Sequence, residues 1–316
     1  MKAAIIQAFG QAPALGRFRE PEAAEGETLV TVTAAPLSPI VRMLAAGRHY
    51  TSGGTAGFVP GVDGVGRTAD GRRVYFLFPR APFGSMAQQS VAAHGSTVPV
   101  PEAIPDDLAA AIATAGLAAW VALTRRARLR AGETVLVTGA NGAAGRMALQ
   151  VARHLGAART IAVARSRAKL EGIAADARIA LDEDGDTDLR AAFDRGVDIV
   201  LDFVWGPPAG RILRAAAANR GARTGEPRLR YVQIGTVAGE EIPLRGDLLR
   251  GSGLELMGSG LGSLALAALV AGAGELLAAA PEAGFTPAFI SLPLDRIAEA
   301  WNGNPAVRYI LQPDQS

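Results

Sequence analysis

The chain of 316 residues contains no cysteine. That absence removes disulfides, thiolate nucleophiles and every Cys-ligated zinc site. Histidine is scarce, with three residues in all: His49, His94 and His154. Charge of one sign is lacking too. Lys and Arg number 32 against 30 Asp and Glu, so the formal charge of +2 argues for neither a nucleic-acid nor a membrane partner. The N-terminal run AAIIQAF is short and has no convincing cleavage site, so it reads as a first strand rather than a signal peptide. The most apolar later segment, Leu264 to Ala280, is interrupted by Gly272, Gly274 and Glu275. It reads as a core helix too short and broken to span a bilayer. What remains, 49% hydrophobic and 20% charged, is the composition of a globular protein long enough for two domains. It is expected in the cytoplasm.

The most informative stretch runs from Thr134 to Gly156, TVLVTGANGAAGRMALQVARHLG. Its β-branched start reads as a buried parallel strand. Gly139, Gly142 and Gly145 punctuate a tight turn, and an amphipathic helix follows until Gly156 ends it. Unpaired N–H groups and the positive dipole end at such a helix start suit a pyrophosphate. The spacing is GxxGxxG rather than GxGxxG, but strand, helix and second strand (Thr160 to Ala164) stand in the required order. Arg165, Ser166, Arg167 and Lys169 follow. An acid at that place would bind the ribose 2′-hydroxyl of NAD, whereas a basic and hydroxyl cluster suits the 2′-phosphate of NADP.

Before residue 115, short strands are expected at Lys2–Ala8, Thr28–Ala35, Arg72–Phe78, Gly84–Ser90 and Gly95–Pro99. Dense glycine and proline between them suggest a compact, partly open β-barrel. A helix starts after Pro105, with Asp106 and Asp107 in its first turn. Strands at Val197–Leu201, Arg230–Ile234 and Leu254–Met257, with a helix near Ala209–Ala218, continue a strand–helix alternation that implies a parallel sheet. The tail (AFISLPL, Asp295 as an N-cap, a helix through Trp301, a strand near Tyr309–Leu311) is expected to return to the first domain.

These residues carry a family resemblance. The long helix containing Gly116-Leu117, then LRAGETVLVTGANGAAG, GVDIVLDFVWG and YVQIG, stand in the order of the medium-chain dehydrogenase/reductase superfamily. Within it, the chain resembles the zinc-independent quinone oxidoreductases. Pro60-Gly61-Val62-Asp63-Gly64-Val65-Gly66 looks like the family's PG-x-(D/E)-G-x-G turn, and Leu294 to Ala300 matches as well. The resemblance implies an α/β protein. A GroES-like catalytic domain of residues 1–115, completed by 283–316, would join a Rossmann domain of 116–282, with the active site in the cleft between them. It also implies that Asn141, Gly142, Ala143 and Ala144 cover the pyrophosphate. Phe203 and Val204 would lie beside the adenosine, and Gly235 and Thr236 near the nicotinamide. Asp202 suits turn chemistry better than a ligand role.

Zinc-dependent relatives hold the metal with a Cys and a His-Glu pair. Here the pair is Val62-Asp63, and Asp63 with His49 would be a poor ligand set, so no metal is expected. Where zinc-independent relatives commonly carry Asn-Pro, this chain has Ser38-Pro39, and Ala118 stands where Thr is frequent. Without a Lewis acid, hydride transfer relies on positioning and on donors aimed at the developing enolate oxygen. Tyr50 is the first candidate for donor or proton source, with His49 beside it and Ser38 as a further polar group; the alternative for Tyr50 is packing at the cleft mouth. His94 and His154 read as surface or structural. The implied function is an NADPH-dependent, zinc-independent oxidoreductase acting on a quinone or α,β-unsaturated carbonyl. A nucleotide-binding sensor with weak catalysis, and a zinc-free ketone or alcohol dehydrogenase, remain open. The Leu254–Met257 strand is expected to end its sheet and to pair in a homodimer.

Overall fold

The computed structural model describes residues 1–52, 54–182, 184–218 and 228–314. Its contacts group into two units, one of Met1–Leu117 with Ala265–Ser316 and one of Ala118–Leu264.

In the second unit, apolar β-branched runs have no polar face to offer solvent, and they pair in parallel under helices. Strands Ala177–Ala180, Arg159–Ala164, Thr134–Thr138, Ile199–Asp202, Leu229–Gln233 and Leu254–Gly258 lie side by side in that order. Every pairing is parallel. This is the doubly wound Rossmann order, which places the strands' carboxyl ends along one edge where ligands bind. Leu136, Ile161, Val163, Val200, Leu213 and Tyr231 fill the core against the helices. The expected strands are present within a residue or two; Ala177–Ala180 is an addition to them. Leu254–Gly258 ends the sheet, with Leu256 partly exposed.

The first unit is built on the long strand Glu27–Leu37. It pairs antiparallel with Asp63–Thr68 along one side. Along the other side its first half pairs with Gln89–Ala93 and its last residues with Arg308–Gln312. The strand Phe289–Pro293 follows Arg308–Gln312, while Arg73–Leu77 and Thr97–Pro99 continue beyond Asp63–Thr68. The tail thus supplies two strands of the barrel sheet.

Three expectations need correction. The PGVDGVG motif is a turn only as far as Val62, and Asp63–Thr68 is a strand. Its glycines serve close approach: a Cβ on Gly66 would stand 2.3 Å from the Thr31 carbonyl oxygen. The strand expected at Gly84–Ser90 is Gln89–Ala93 instead, because residues 84–86 bond to the irregular segment 59–61. Asp295 is no N-cap; it sits inside a 3₁₀ turn, Leu294–Arg296, ahead of the helix Ile297–Asn302.

The helix Asp106–Val121 has both acids in its first turn, where the dipole favours them. It runs on into a π-helical turn, Ala122–Ala127. Leu266–Ala283 is one unbroken helix of 18 residues. Its glycines do not interrupt it, because Gly272 is buried and Gly274 lies close to Val98. Residues 265–282 group with the first unit, whereas the family resemblance implies a Rossmann domain that runs to 282. Both helices are long and apolar enough to cross a membrane by length and composition, but 67% of the window in Asp106–Ala127 is buried, as in a core helix.

Candidate functional site

The candidate cradle lies where three strands end. After Thr134–Thr138, Gly139 turns the chain at φ +60°, and the Gly142 N–H donates to the Gly139 carbonyl at 3.0 Å. The helix Ala143–His154 starts at once, with Gly142 as its cap and no acid in its first turn. A Cβ on Gly145 would lie 2.3 Å from the Gly139 carbonyl oxygen, so only glycine lets the helix pack this tightly on the turn. The first-turn N–H groups have no intrahelical partner. Arg146 Nε donates to the Asn141 carbonyl at 3.3 Å.

The second strand ends at buried Ala164. Beyond it Arg165, Arg167 and Lys169 are exposed and Ser166 is half-buried at the start of the 3₁₀ turn Arg167–Leu170. No carboxylate stands among them.

The other two loops converge on the first. A Cβ on Gly139 would lie 3.0 Å from Val204 Cγ1 and 3.6 Å from Phe203 Cβ. One on Gly235 would lie 2.6 Å from the Phe203 carbonyl oxygen. Gly139, Phe203, Val204 and Gly235 therefore share one patch, and Thr236 follows directly. Asp202 organises the turn. Its Oδ1 accepts from Thr138 Oγ1 at 2.6 Å and from the N–H groups of Val204 and Trp205 at 3.0 and 3.1 Å. Its Oδ2 accepts from the Tyr231 hydroxyl at 2.7 Å. Both of its oxygens are thus engaged in the interior, in the turn chemistry expected of it.

Trp205 is a feature sequence reasoning missed. Its φ of 53° and ψ of −156° lie in a region that L-residues avoid, at a cost of roughly 1–3 kcal/mol. Its indole N–H donates to the Glu240 carbonyl at 3.2 Å, and the Ala238 N–H donates to the Val204 carbonyl at 2.8 Å. The two loops that carry Val204 and Thr236 are thereby tied together. A bulky residue wedged before Gly206-Pro207-Pro208 was the available signal.

The candidate catalytic residues belong to the first unit. Ser38 closes the long strand ahead of helix Pro39–Ala45; its Oγ is buried and has no hydrogen-bond partner among the described residues. His49 is buried at 9% exposure, and its ring lies against that of Tyr50, tilted by 31° with 4.2 Å between centroids, while Tyr50 itself is 71% exposed. No hydrogen bond joins Ser38 to His49 among the described residues. Asp63 is buried, and burial pushes its carboxyl up to about 7 against the opposing Tyr75 hydrogen bond and the Arg308 cation. The Tyr75 hydroxyl donates to Asp63 Oδ2 at 2.8 Å. Arg308, buried as well, is lowered to about 10 by desolvation, which Asp63 counters. Among the described residues no group of three or more His, Asp and Glu is placed to hold a metal ion. His94 is exposed, and exposed His154 stacks on Trp120 at 5.9 Å between centroids.

No family model matches the chain. A probable NADPH-dependent quinone reductase, tdiC of Emericella nidulans, is 28% identical over 314 residues, covering 85% of this chain and 87% of its own. The quinone oxidoreductase of Thermus thermophilus, solved also as its complex with NADPH, superposes with a TM-score of 0.80 at 28% identity. That match covers 99% of this chain and 100% of the other. These whole-length matches indicate the medium-chain dehydrogenase/reductase superfamily, in its quinone-oxidoreductase-like branch. A segment of another relative, the Streptomyces orinoci spectinabilin polyketide synthase protein NorB, is 33% identical over 224 residues, which is 67% of this chain and 10% of that one. The GroES-like plus Rossmann architecture of this branch accounts for the two large sheets, the fully parallel one carrying the glycine turn.

Proposed function

We propose that this protein is an NADPH-dependent oxidoreductase that reduces quinones or α,β-unsaturated carbonyl compounds. The observation that carries the reading is the cradle at the carboxyl edge of the parallel sheet. Gly145 could not bear a side chain there, the following helix turn holds no acid, and Arg165 and Lys169 stand exposed at the end of the second strand. These residues fit a dinucleotide with a 2′-phosphate. The first-turn N–H groups after Gly142, with Asn141, Ala143 and Ala144, would hold the pyrophosphate. Arg165, Ser166 and Lys169 would hold the 2′-phosphate, Arg165 as a bidentate fork that Lys cannot reproduce. Phe203 and Val204 would pack on the adenosine side, with Gly235 and Thr236 toward the nicotinamide. NADPH bound there supplies two electrons and one proton as hydride; the second proton has to come from the chain or from water.

Tyr50 is proposed as that proton source, because the residue is 71% exposed and a phenol within reach of solvent is readily reprotonated. Ser38 Oγ, buried without a partner among the described residues, is proposed to bond the ligand; an unmatched buried hydroxyl is costly until a partner arrives. Quinones and enones suit this donor set because their developing charge is delocalised. The relatives named as quinone reductases support the same substrate class. We further propose a cytoplasmic homodimer formed through the edge strand Leu254–Gly258. Light scattering should give about twice the 32.5 kDa chain mass, and a monomer would refute the pairing.

The decisive experiment is NADPH oxidation in the presence of 1,4-benzoquinone or a simple enone. Turnover with NADPH, and binding at least tenfold tighter than NADH, is expected. Cofactor binding without turnover of any such acceptor would favour a nucleotide-binding sensor instead.

A further inference from the structure

The turn that carries His49 is defined atom by atom. Gly47 takes φ +66°, and the Arg48 N–H bonds the Met43 carbonyl at 3.0 Å, which swings His49 out of the helix Pro39–Ala45. The His49 N–H donates to Ser52 Oγ at 3.1 Å, and the Ser52 N–H returns a bond to the His49 carbonyl at 2.7 Å. The imidazole is buried, with the Tyr50 ring over one face.

Its Nδ1 meets two groups of one residue. The backbone N–H of Thr51 donates to it at 3.2 Å, and Thr51 Oγ1 lies 2.6 Å away. An amide N–H aimed at a ring nitrogen requires a lone pair on that nitrogen. Nδ1 therefore carries no hydrogen, and the Thr51 hydroxyl acts as a second donor to it. In a neutral imidazole the remaining hydrogen must then sit on Nε2. Conversion to the cation would set a new Nδ1–H against an amide hydrogen that cannot turn away. Desolvation also lowers the His49 pKa from its ordinary value, in the same direction. No hydrogen bond occupies Nε2 among the described residues.

We propose that His49 is a neutral Nε2–H donor to the carbonyl oxygen of the quinone or enone, and that Thr51 is the positioning residue that fixes this tautomer. The identity of the acceptor rests on the reductase reading above; the tautomer does not. The role is one of hydrogen bonding alone. No proton leaves Nε2, whose hydrogen stabilises negative charge as it gathers on the oxygen, and the proton that completes the reduction comes from another group. A neutral donor serves an enolate throughout the neutral pH range, because its charge does not change there.

The test uses the full chain labelled with ¹⁵N. Imidazole ¹⁵N–¹H correlation spectra at pH 7, with His49 assigned by its loss in His49→Gln, should show a pyridine-like Nδ1 and a protonated Nε2. Thr51→Val should raise the midpoint of the His49 titration and lower kcat for 1,4-benzoquinone about fivefold or more, with NADPH Kd unchanged. Thr51→Ser should restore both. His49→Phe should lower kcat about 100-fold, the usual consequence of deleting an oxyanion donor. A wild-type spectrum showing the Nδ1–H tautomer, or a cation at pH 7, overturns the proposal whatever the variants do. So does an unchanged kcat in a folded His49→Phe protein. An Nε2–H signal in a wild-type protein that binds NADPH but reduces no quinone or enone would identify the reductase reading as the failure, and would remove the acceptor with it.

Discussion

Asp202 in the second unit and Asp63 in the first are equally deep, 0% and 3% exposed, yet their surroundings are unlike. Asp202 accepts four hydrogen bonds. Asp63 has one oxygen on the Tyr75 hydroxyl, while the other is buried without a hydrogen bond among the described residues. Thr114 acts on that carboxyl strongly enough to lower its pKa a little, but not in hydrogen-bonding geometry. The contrast extends to the units. Ser38 Oγ, Ser85 Oγ, Asp63 Oδ1 and Arg308 Nε are buried and unmatched in the first, and Arg230 Nε is the sole counterpart among the described residues of the second. A satisfied network fixes a shape before any ligand arrives, whereas unmatched polar atoms are where a ligand, water or proton still has something to gain.

The hardest way to break this contrast is to remove Asp202. Asp202→Ala would leave the Tyr231 and Thr138 hydroxyls and two turn N–H groups unsatisfied, each worth about 1–3 kcal/mol when stranded in the interior. A loss of about 4 kcal/mol or outright misfolding is expected in urea denaturation. A loss below about 1 kcal/mol would mean that the network does not hold the turn.

Next in size is the cationic edge of the cradle. Arg165→Ala should weaken NADPH binding by about 10- to 100-fold, the worth of one charge-assisted contact, and leave NADH nearly untouched. Equal losses for the two cofactors would place the 2′-phosphate elsewhere.

Asp63 sharpens the comparison through pH. Its folded pKa of about 7 lies above the ordinary carboxylate value of 3.8, so the folded state holds the proton longer than the unfolded chain does. Stability from this group is complete below about pH 3.8 and is lost as pH rises toward 7, at up to about 1.4 kcal/mol per pH unit. Asp63→Asn should flatten that decline. Urea midpoints between about pH 4.5 and 7.5 report it, and identical slopes in both proteins would contradict the assignment.

The smallest expected effect belongs to Tyr50. Tyr50→Phe should lower kcat about tenfold while NADPH affinity stays level. If Phe preserves kcat and Ala only raises KM, the ring shapes a pocket and gives no proton.

The second unit was far more legible in the sequence than the first, for a physical reason. Val135, Leu136 and Val137 are buried on both faces, so the strand reads as an unbroken apolar run, and Gly139, Gly142 and Gly145 mark the turn that follows. The strand Asp63–Thr68 hides because Gly64 and Gly66, which look like turn residues, are there to let Phe76 and the Thr31 backbone approach. Ala14–Arg17 and Ala177–Ala180 are four residues each, too short to show alternation. At the candidate site, the glycines and Arg165 could be read from spacing alone. The Thr51 contact to Nδ1 and the twisted backbone of Trp205 could not, because both depend on three-dimensional geometry that no residue pattern encodes.

The pairing of Glu27–Leu37 with Arg308–Gln312 also sets an order of assembly. A ribosome delivers residues 118–264 as one continuous stretch, so the second unit has all its strands while the tail is still unmade. The first unit, although begun earlier, must keep the far end of its longest strand unpaired until residue 312 emerges. During that interval Leu37 and its neighbours present open backbone groups. Synthesis, not only thermodynamics, makes this half the one that needs shielding.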